Sequence, residues 1–372
     1  MAKFENGPKF AVLGTGNSGQ AYAADISLKG YSVNLAEISG FEETLRAIEK
    51  KGGIELSGKS SSGFAELNMI TTDLAAAVKG VDIIIIGGSA FAHEPFSRAV
   101  ASYFEDGQFI MFTSNFGAIR FYSWVKEFNI SADVTPVETM SLLYATRALE
   151  PGNVVIKGVK GNLPVAALPA SRTQAFVDKI APIFPQMVVC ENVLVTSLNN
   201  LNPIVHPPMV LCNAGRIEAT GGKGWNLYGD GATESVAKLM LALDDERMSL
   251  MEHIGVQGVA FKDAFEKLYK NYSLGGESLS LSETLRKSPI HSDPAFSAPE
   301  SIDTRYIAED LPFGLVPWSS IGRMFGLPTP TIKATIQIAS IMLGRNYFEE
   351  GLTAKNLGID GMSPEDLKSM VS

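Results

Sequence analysis

Three glycines near the start of the chain have the spacing of a phosphate-binding turn. An apolar run, Phe10–Leu13, stops at Gly14, and the G-x-G-x-x-G pattern leads directly into a helical pattern. The first glycine of such a turn permits a tight bend, the second lets the backbone approach a pyrophosphate, and the third lets helix and strand pack closely. We therefore predict dinucleotide binding here, with contacts from Gly14, Thr15, Gly16, Asn17, Ser18 and Gly19.

A carboxylate follows this turn at the distance expected for recognition of a ribose. Glu37 lies eighteen residues beyond Gly19, at the end of a second predicted strand. In dinucleotide-binding units an acid at this place accepts hydrogen bonds from the adenosine ribose hydroxyls. The three residues after Glu37 include no arginine that would pair with a 2′-phosphate. The pattern therefore favours NAD over NADP.

The ends of later strands are expected to complete the cofactor site. The β-branched run at 83–86 is typical of a parallel strand buried on both faces, and a glycine pair ends it. Another apolar run at 108–113 ends in small and polar residues. Ligands of open α/β sheets bind at the carboxyl ends of the strands. We expect further cofactor contacts from Ser89, Ala90, Asn115 and Glu138.

His206 is the best placed of the four histidines for proton transfer. It lies where the second half of the chain begins, and the following Pro207 restricts the backbone at His206. An imidazole can give or take the proton that accompanies hydride transfer. Without further context, a histidine that caps a helix or packs in a core is the more common case.

A cluster of charges at 305–310 supplies candidate partners for this histidine. A carboxylate here, Glu309 or Asp310, would hold the imidazole in one tautomer and stabilise its cation. Arg305 would bind a substrate carboxylate in bidentate fashion. From spacing alone, however, the more common interpretation is that these residues are surface charges at the start of a helix.

The elements that must position these residues fall into two halves. β-branched runs alternate with helical patterns up to about residue 195, which predicts an α/β Rossmann dinucleotide-binding domain at 1–195. The runs at 53–56 and 65–70 are expected to form an inserted hairpin, and the run at 154–158 to continue the main sheet. Helical periodicity then dominates, which predicts an all-α C-terminal domain at 196–372 that binds substrate and carries the catalytic residues.

Composition narrows the classes of partner and the compartment. The chain has 372 residues and a net charge of −9, and no basic block offsets that charge, so we expect neither nucleic acid nor a membrane as partner. The two cysteines lack the spacing of a metal site and the density of a disulfide scaffold, and we expect no metal. The N-terminus opens into the first strand without a secretory apolar segment, so the expected location is cytoplasmic.

Several motifs together resemble the opine dehydrogenase (octopine/nopaline dehydrogenase) family. The resemblance runs from about residue 8 to about residue 345, and Leu143 and Phe313 stand where the family pattern has proline and tyrosine. The motifs are Asn202-Pro203-x-x-His206-Pro207, Gly229-Asp230-Gly231-Ala232-Thr233, Arg305-Tyr306-x-x-Glu309-Asp310-x-Pro312-x-Gly314-Leu315-Val316, Ala90-Phe91-Ala92-His93 and Glu138-Thr139-x-x-Leu142-x-Tyr144-Ala145-x-Arg147.

The resemblance implies a Rossmann domain, an all-helical domain and catalysis in the cleft between them. Such enzymes condense an amino acid with a 2-oxo acid such as pyruvate and reduce the imine with NAD(P)H. Carried over by position, His206 is the acid/base, Asp310 its carboxylate partner and Arg305 a ligand of a substrate carboxylate. Small molecules are therefore the expected partners, and the sequence leaves open whether the chain is a monomer or a homodimer.

Two further residues are candidates for substrate contact, each with a plainer alternative. Arg147 is expected to contact substrate or cofactor, or else to form a surface ion pair. Trp225 is expected to line the pocket of the amino-acid side chain, or else to anchor its loop. Two other functions stay open: an NAD-dependent dehydrogenase of a hydroxy acid or sugar-phosphate alcohol, and a non-catalytic dinucleotide sensor.

Overall fold

The computed structural model describes residues 7–272, 279–292 and 297–372. It divides into two compact units, Met1–Ser197 with Val371–Ser372, and Leu198–Met370. The division falls close to the change from alternating strands and helices to helices alone. Residues 1–6, on which the expectation about a secretory segment rests, lie outside the described ranges.

The first unit contains twelve described strands and seven described α-helices. The strands are β1 Phe10–Leu13, β2 Val33–Ala36, β3 Ile54–Gly58, β4 Gly63–Ala65, β5 Met69–Thr71, β6 Ile83–Ile86, β7 Phe109–Thr113, β8 Thr135–Thr139, β9 Tyr144–Glu150, β10 Asn153–Val159, β11 Leu163–Ala167 and β12 Met187–Val189. The helices are α1 Asn17–Leu28, α2 Glu42–Lys51, α3 Leu74–Val78, α4 Ala90–Val100, α5 Gly117–Glu127, α6 Thr173–Ile180 and α7 Val193–Leu198.

Eight of these strands form the main sheet, in the order β12-β11-β8-β7-β6-β1-β2-β5. Neighbours from β8 to β5 are parallel, and β11 runs antiparallel to β8. Every residue of β1, β6 and β7 is buried, because helices cover both faces of a parallel sheet. The strand order reverses between β1 and β6, as in a doubly wound dinucleotide-binding fold. The predicted Rossmann unit is confirmed.

A second sheet has four strands, in the order β4-β3-β10-β9. One prediction from the sequence is therefore wrong, because β10 does not continue the main sheet. The predicted hairpin is present as the antiparallel pair of β3 and β4, but its second strand ends at Ala65, and Met69–Thr71 forms β5 of the main sheet instead. Burial alternates along β10, which is typical of a sheet with one packed face. An alternating run does not reveal which strand will be its partner.

The turn between β1 and α1 depends on close backbone contact. Gly14 has φ +106°, in the region that favours glycine. A Cβ added to Gly19 would lie 1.9 Å from the carbonyl oxygen of Gly14, so only glycine lets α1 begin this close to the strand. Further along α1, the buried Asp25 carboxylate accepts hydrogen bonds from Tyr144 Oη at 2.6 Å and Ser60 Oγ at 2.8 Å. The second sheet is thereby attached to the same helix.

Among the described residues of the second unit, the regular elements are all helices, and the one β-pairing is an isolated bridge between Asn226 and Ser297. A π-helical turn, Leu311–Leu315, separates α14 from α15. The α-helices are α8 Asn202–Cys212, α9 Ala214–Thr220, α10 Leu227–Gly231, α11 Glu234–Ile254, α12 Phe261–Leu268, α13 Leu281–Arg286, α14 Arg305–Ala308, α15 Val316–Met324, α16 Pro330–Leu343, α17 Tyr347–Glu350 and α18 Pro364–Val371. The predicted all-α second half is confirmed.

Across the described ranges, no helix has both the length and the apolar character needed to cross a bilayer.

Candidate active site

His206 is positioned by α8, a helix with an unusual number of prolines. Pro203 opens the helix, where its missing amide donor costs nothing, and Pro207 and Pro208 lie inside it. The segment before α8 is held by Arg247, which is fully buried and donates to Leu198 O at 3.1 Å and Asn199 Oδ1 at 2.7 Å. His206 is thereby presented from a constrained backbone and is 7% exposed.

The π-helical turn brings Asp310 to this histidine. Gly314, within the turn, packs directly on Pro203, since an added Cβ would lie 2.2 Å from Pro203 Cγ. This contact joins the turn to the start of α8. Asp310 immediately precedes the turn, and its Oδ2 lies 2.6 Å from His206 Nδ1. The close packing explains why the sequence motif needs a glycine four residues after Asp310.

The geometry separates the two adjacent carboxylates. A carboxylate only accepts hydrogen bonds, so His206 Nδ1 carries the hydrogen and donates it to Asp310. The Glu309 carboxylate instead lies 3.7 Å from Arg305 Nε. The alternative left open by the sequence is therefore resolved: Asp310, not Glu309, contacts the imidazole.

Two tyrosines complete the surroundings of His206. Tyr228 Oη lies 2.9 Å from His206 Nε2, and the Tyr306 ring stacks against the imidazole with centroids 4.2 Å apart. Tyr228 is 6% exposed and Asp310 is 3% exposed. The imidazole plane is thus held by the Tyr306 ring, and both of its nitrogens have a defined partner. Sequence reasoning missed both contacts, although Tyr306 adjoins Arg305 in the family motif.

Arg305 presents a cation beside this buried group. Its side chain is 56% exposed, and Glu309 is its ion-pair partner. An exposed guanidinium five residues before Asp310 can receive a substrate carboxylate, because its planar donors match two carboxylate oxygens. The structure places Arg305, His206 and Asp310 in the same compact unit.

The glycine-rich turn leaves room where a phosphate would approach. A Cβ added to Gly16 would meet nothing within 4 Å. Gly16 is the N-cap of α1, and no side chain caps the first turn of this helix. The amides of Asn17 and Ser18 at this N-terminus attract an anion, because the helix dipole places partial positive charge there. These features fit the pyrophosphate of a dinucleotide.

Glu37 contacts the same turn. Its Oε2 accepts hydrogen bonds from the Thr15 amide at 2.7 Å and from Thr15 Oγ1 at 2.8 Å, and its Oε1 accepts one from the Ile38 amide. The carboxylate is therefore held at the end of β2, beside the glycines. This is the place where the sequence predicts contact with a ribose.

The loops after β6 and β7 lie at the carboxyl edge of the sheet. Ser89 is the N-cap of α4, and the carbonyl of Ala90 accepts a hydrogen bond from the buried Arg120. Ser114, Asn115 and Phe116 have φ of 77°, 64° and 60°. Three successive non-glycine residues in the left-handed region are strained, and such strain clusters at functional sites. The positions of Ser89 and Asn115 therefore fit contact with a cofactor.

Glu138 has a different environment from the one expected of a cofactor ligand. It is fully buried, its Oε1 accepts hydrogen bonds from Thr196 Oγ1 and Ser197 Oγ, and its Oε2 accepts one from the Ala118 amide. Burial raises the pKa of its carboxyl group from 4.5 to about 7, although these hydrogen bonds oppose the rise. The side chain has no exposed surface for a cofactor, so the structure favours a role in joining β8 to α5 and α7.

The structure also favours one alternative for each of the two remaining candidates. The Trp225 side chain is 6% exposed, its Nε1 donates to Thr220 Oγ1 at 3.1 Å, and the Arg216 guanidinium covers its ring. This favours loop anchoring over substrate contact. Arg147 is exposed on β9, next to Ala148, whose amide donates to Asn17 Oδ1 at 2.9 Å. The backbone at Arg147 therefore lies beside the glycine-rich turn, a position that fits the predicted contact with a cofactor.

Comparison with known proteins identifies the family. The family model for the α-helical domain of NAD/NADP octopine/nopaline dehydrogenases matches residues 189–343. The opine dehydrogenase of Arthrobacter sp. (strain 1C) is 33% identical over 364 residues, which cover 97% of this chain and 98% of that protein. This chain belongs to the octopine/nopaline dehydrogenase family. It is accordingly an NAD(P)-dependent oxidoreductase that acts on CH–NH donors and, in reverse, condenses an amino acid reductively with a 2-oxo acid.

Solved structures share the fold of this family member. Octopine dehydrogenase, solved with NADH and pyruvate and also with NADH and L-arginine, superposes with a TM-score of 0.76 at 18% identity. The pyruvate and arginine structures cover 95% and 97% of this chain, and 96% and 98% of their own chains. Yersinopine dehydrogenase with NADP+ gives a TM-score of 0.72 at 14% identity, over 98% of this chain and all of that chain.

Replacing Glu138 with glutamine should change how stability depends on pH. The neutral carboxyl contributes fully to stability below about pH 4.5, and this contribution is lost as pH rises toward 7, because the unfolded chain releases the proton first. Glu138→Gln stays neutral, so its free energy of unfolding relative to wild type should rise by up to about 3 kcal/mol over this range. Urea unfolding at several pH values measures the difference.

The exposed Glu150→Gln serves as the control, since its carboxyl group lies on the surface of β9. If the difference in free energy of unfolding between Glu138→Gln and wild type stayed constant from pH 4.5 to pH 8, the pKa of Glu138 would not be raised by burial.

Proposed function

We propose that this enzyme joins an amino acid to a 2-oxo acid such as pyruvate with His206 as the acid/base and Asp310 as its positioning partner. The observation that carries the proposal is the 2.6 Å hydrogen bond between His206 Nδ1 and Asp310 Oδ2 among buried side chains. It commits Nδ1 to the carboxylate and leaves Nε2 for proton exchange. Asp310 then has two effects: it fixes the tautomer, and it stabilises the imidazolium that forms on proton uptake.

The reaction needs such a group at two points. The ammonium group of the amino acid loses a proton to become an amine, and attack of this amine on the keto carbon, with transfer of an N–H proton to the oxygen, gives a hydroxyl. The hydroxyl then gains a proton and leaves as water. An imidazole can accept the first proton and, once protonated, donate the second. The same His206 Nε2 therefore serves formation of the imine in one direction and its hydrolysis in the other.

Arg305 is proposed as the ligand of a substrate carboxylate. Both substrates are carboxylic acids, and the net charge of the chain is −9, so their binding requires a local cation. Arg305 supplies it from the start of α14, five residues before Asp310. The exposed fraction of its side chain, 56%, leaves the guanidinium available for a bidentate contact.

The cofactor is proposed to be NAD(H) rather than NADP(H). The residues that would hold it are the glycine-rich turn, Glu37, Ser89, Ala90, Asn115 and Arg147. When bound, the nicotinamide supplies the hydride. The Glu37 carboxylate is held at the end of β2 by Thr15 and Ile38, where it would accept hydrogen bonds from ribose hydroxyls and repel a 2′-phosphate. Since family structures contain NADH in one case and NADP+ in another, this preference must come from the residues of this chain.

Replacing Glu37 with glutamine should weaken the preference for NADH. Loss of the charge removes the repulsion of a 2′-phosphate, so the ratio of kcat/KM for NADPH to that for NADH should rise by about tenfold or more. Steady-state assays with each cofactor measure the ratio, which cancels any general loosening of the turn. The exposed Glu43→Gln on α2 makes the same charge change and should leave the ratio unaltered. An unaltered ratio in Glu37→Gln would exclude this role.

The adjacent carboxylates offer a matched test of the acid/base assignment. Asp310→Asn should lower kcat by about 10²–10⁴-fold, because it removes the carboxylate that fixes the tautomer of the imidazole. His206→Ala should lower kcat by at least as much, because it removes the proton carrier itself. Glu309→Gln should leave kcat within about fivefold of wild type, since Glu309 contacts Arg305 and not the imidazole. Oxidation of NADH is followed over a matrix of amino acids and 2-oxo acids, which also identifies the substrate pair.

Near-normal turnover of the best pair by His206→Ala would refute the acid/base role. Equal losses of kcat in Asp310→Asn and Glu309→Gln would refute the assignment of Asp310 as the positioning partner.

Replacing Arg305 with glutamine should raise the KM of a carboxylate substrate. A charge-assisted contact contributes about 1.5–3 kcal/mol, so the expected increase is about 10–100-fold, with a smaller change in kcat. The exposed Arg323→Gln, on α15 of the same unit, removes the same charge and should leave both KM values unchanged. If the two variants had the same KM values, Arg305 would not be a substrate ligand.

A further inference from the structure

The nitrogen of His206 that is assigned to proton exchange already has a partner, the hydroxyl of Tyr228. Tyr228 Oη lies 2.9 Å from Nε2. Because Nδ1 keeps its hydrogen for Asp310, the Nε2 of a neutral imidazole can only accept, so the phenol donates to it. When His206 is protonated, the direction reverses and Nε2 donates to the phenolic oxygen. The hydroxyl can therefore serve both protonation states without moving.

Tyr228 is also fixed in place from its backbone. It lies on α10, whose N-terminus is stabilised by two hydrogen bonds of the N-cap residue, Asn226. Asn226 Oδ1 accepts one from the Gly229 amide at 2.6 Å, and the Asn226 amide donates one to Asp230 Oδ2 at 2.8 Å. Arg286 Nε on α13 donates to Gly229 O at 2.9 Å. These contacts hold the short helix on which the phenol stands.

The ring of Tyr228 is held as firmly as its backbone. It stacks against His291 with centroids 4.8 Å apart, and Ser288 Oγ lies 2.8 Å from His291 Nδ1. The Tyr228 residue is 6% exposed. For a substrate to reach His206 Nε2 directly, the Tyr228 ring would have to rotate away and lose its contact with His291. Displacement of Tyr228 by a substrate is therefore costly, and passing the proton through its hydroxyl is the route that the packing permits.

We propose that Tyr228 is a second catalytic residue, which relays the proton between the substrate and His206. The proposal rests on the proposed role of His206. As the substrate ammonium group releases its proton to the phenolic oxygen, the phenol passes its own hydrogen to Nε2, and the reverse exchange protonates the departing hydroxyl. One proton enters and one leaves, so the phenol stays neutral and no electrons are transferred.

A relay of this kind does not require a phenolate. Burial, and after it the neighbouring Tyr306 and Tyr269, raises the pKa of Tyr228 well above 10. A neutral phenol that exchanges two protons together avoids the charged form that this environment disfavours.

The test compares Tyr228→Phe with Tyr269→Phe, since Tyr269 is a buried tyrosine that packs against the same His291. Tyr228→Phe should lower kcat by about tenfold or more, while the KM values stay within about threefold. Single-turnover oxidation of NADH in mixtures of H₂O and D₂O should give a curved proton inventory for wild type and for Tyr269→Phe. The inventory should become linear for Tyr228→Phe, because one moving proton has been removed.

The results distinguish the relay from the role of His206. Wild-type kcat in Tyr228→Phe, or a lowered kcat with an inventory of unchanged shape, overturns the relay alone if His206→Ala is inactive. Normal turnover by His206→Ala overturns both proposals. If thermal unfolding shows that Tyr228→Phe does not fold, 3,5-difluorotyrosine at position 228 replaces it. The relay then predicts a changed kcat and a displaced pH profile, and an unchanged profile overturns it.

Discussion

The hydrogen bond between His206 Nδ1 and Asp310 Oδ2 is the constraint on which the proposed catalytic group depends. A carboxylate cannot donate, so this 2.6 Å contact determines the tautomer, and in that tautomer Nε2 is the nitrogen able to accept a proton. The bond joins residues 104 positions apart in sequence. Its geometry therefore depends on how the π-helical turn packs against α8. The two segments are in close contact at Gly314 and Pro203. A π-helical turn at such a place is consistent with the frequent use of this geometry at functional sites.

A comparable constraint governs the first unit. The start of α1 lies so close to the end of β1 that Gly19 has no room for a Cβ, and this closeness sets the amides of the helix N-terminus against the turn. Glu37 reinforces the arrangement by accepting hydrogen bonds from the backbone and side chain of Thr15. The Glu37 carboxylate, the proposed ligand of the ribose, thus also stabilises the glycine-rich turn, the proposed site of the pyrophosphate. This double role limits the residues that can replace Glu37.

Prediction from the sequence succeeded where the signal is local and failed where a partner had to be chosen. The buried runs of β1, β6 and β7 are apolar on both faces, and their pattern alone indicates a covered parallel sheet. The pattern of β10 says only that one face is packed, and its pairing with β3 follows from the path of the whole chain. Glu138 shows the same limit. Its position at the carboxyl end of β8 suggests a ligand, but Thr196 and Ser197 turn it inward.

The sequence by itself determined the chemistry: the glycine spacing with Glu37 indicates a dinucleotide, and the motifs around His206 and Arg305 indicate the family. These follow from residue types at fixed short distances, which the local backbone preserves. Only the tertiary structure decided between Asp310 and Glu309, placed Tyr228 on Nε2 and enclosed Trp225 within its own loop. Those outcomes depend on side-chain directions and on contacts between distant segments. A shift of about 1 Å in a side-chain atom is enough to change its hydrogen-bond partner, and the spacing of residues along the sequence does not specify atomic positions to that precision.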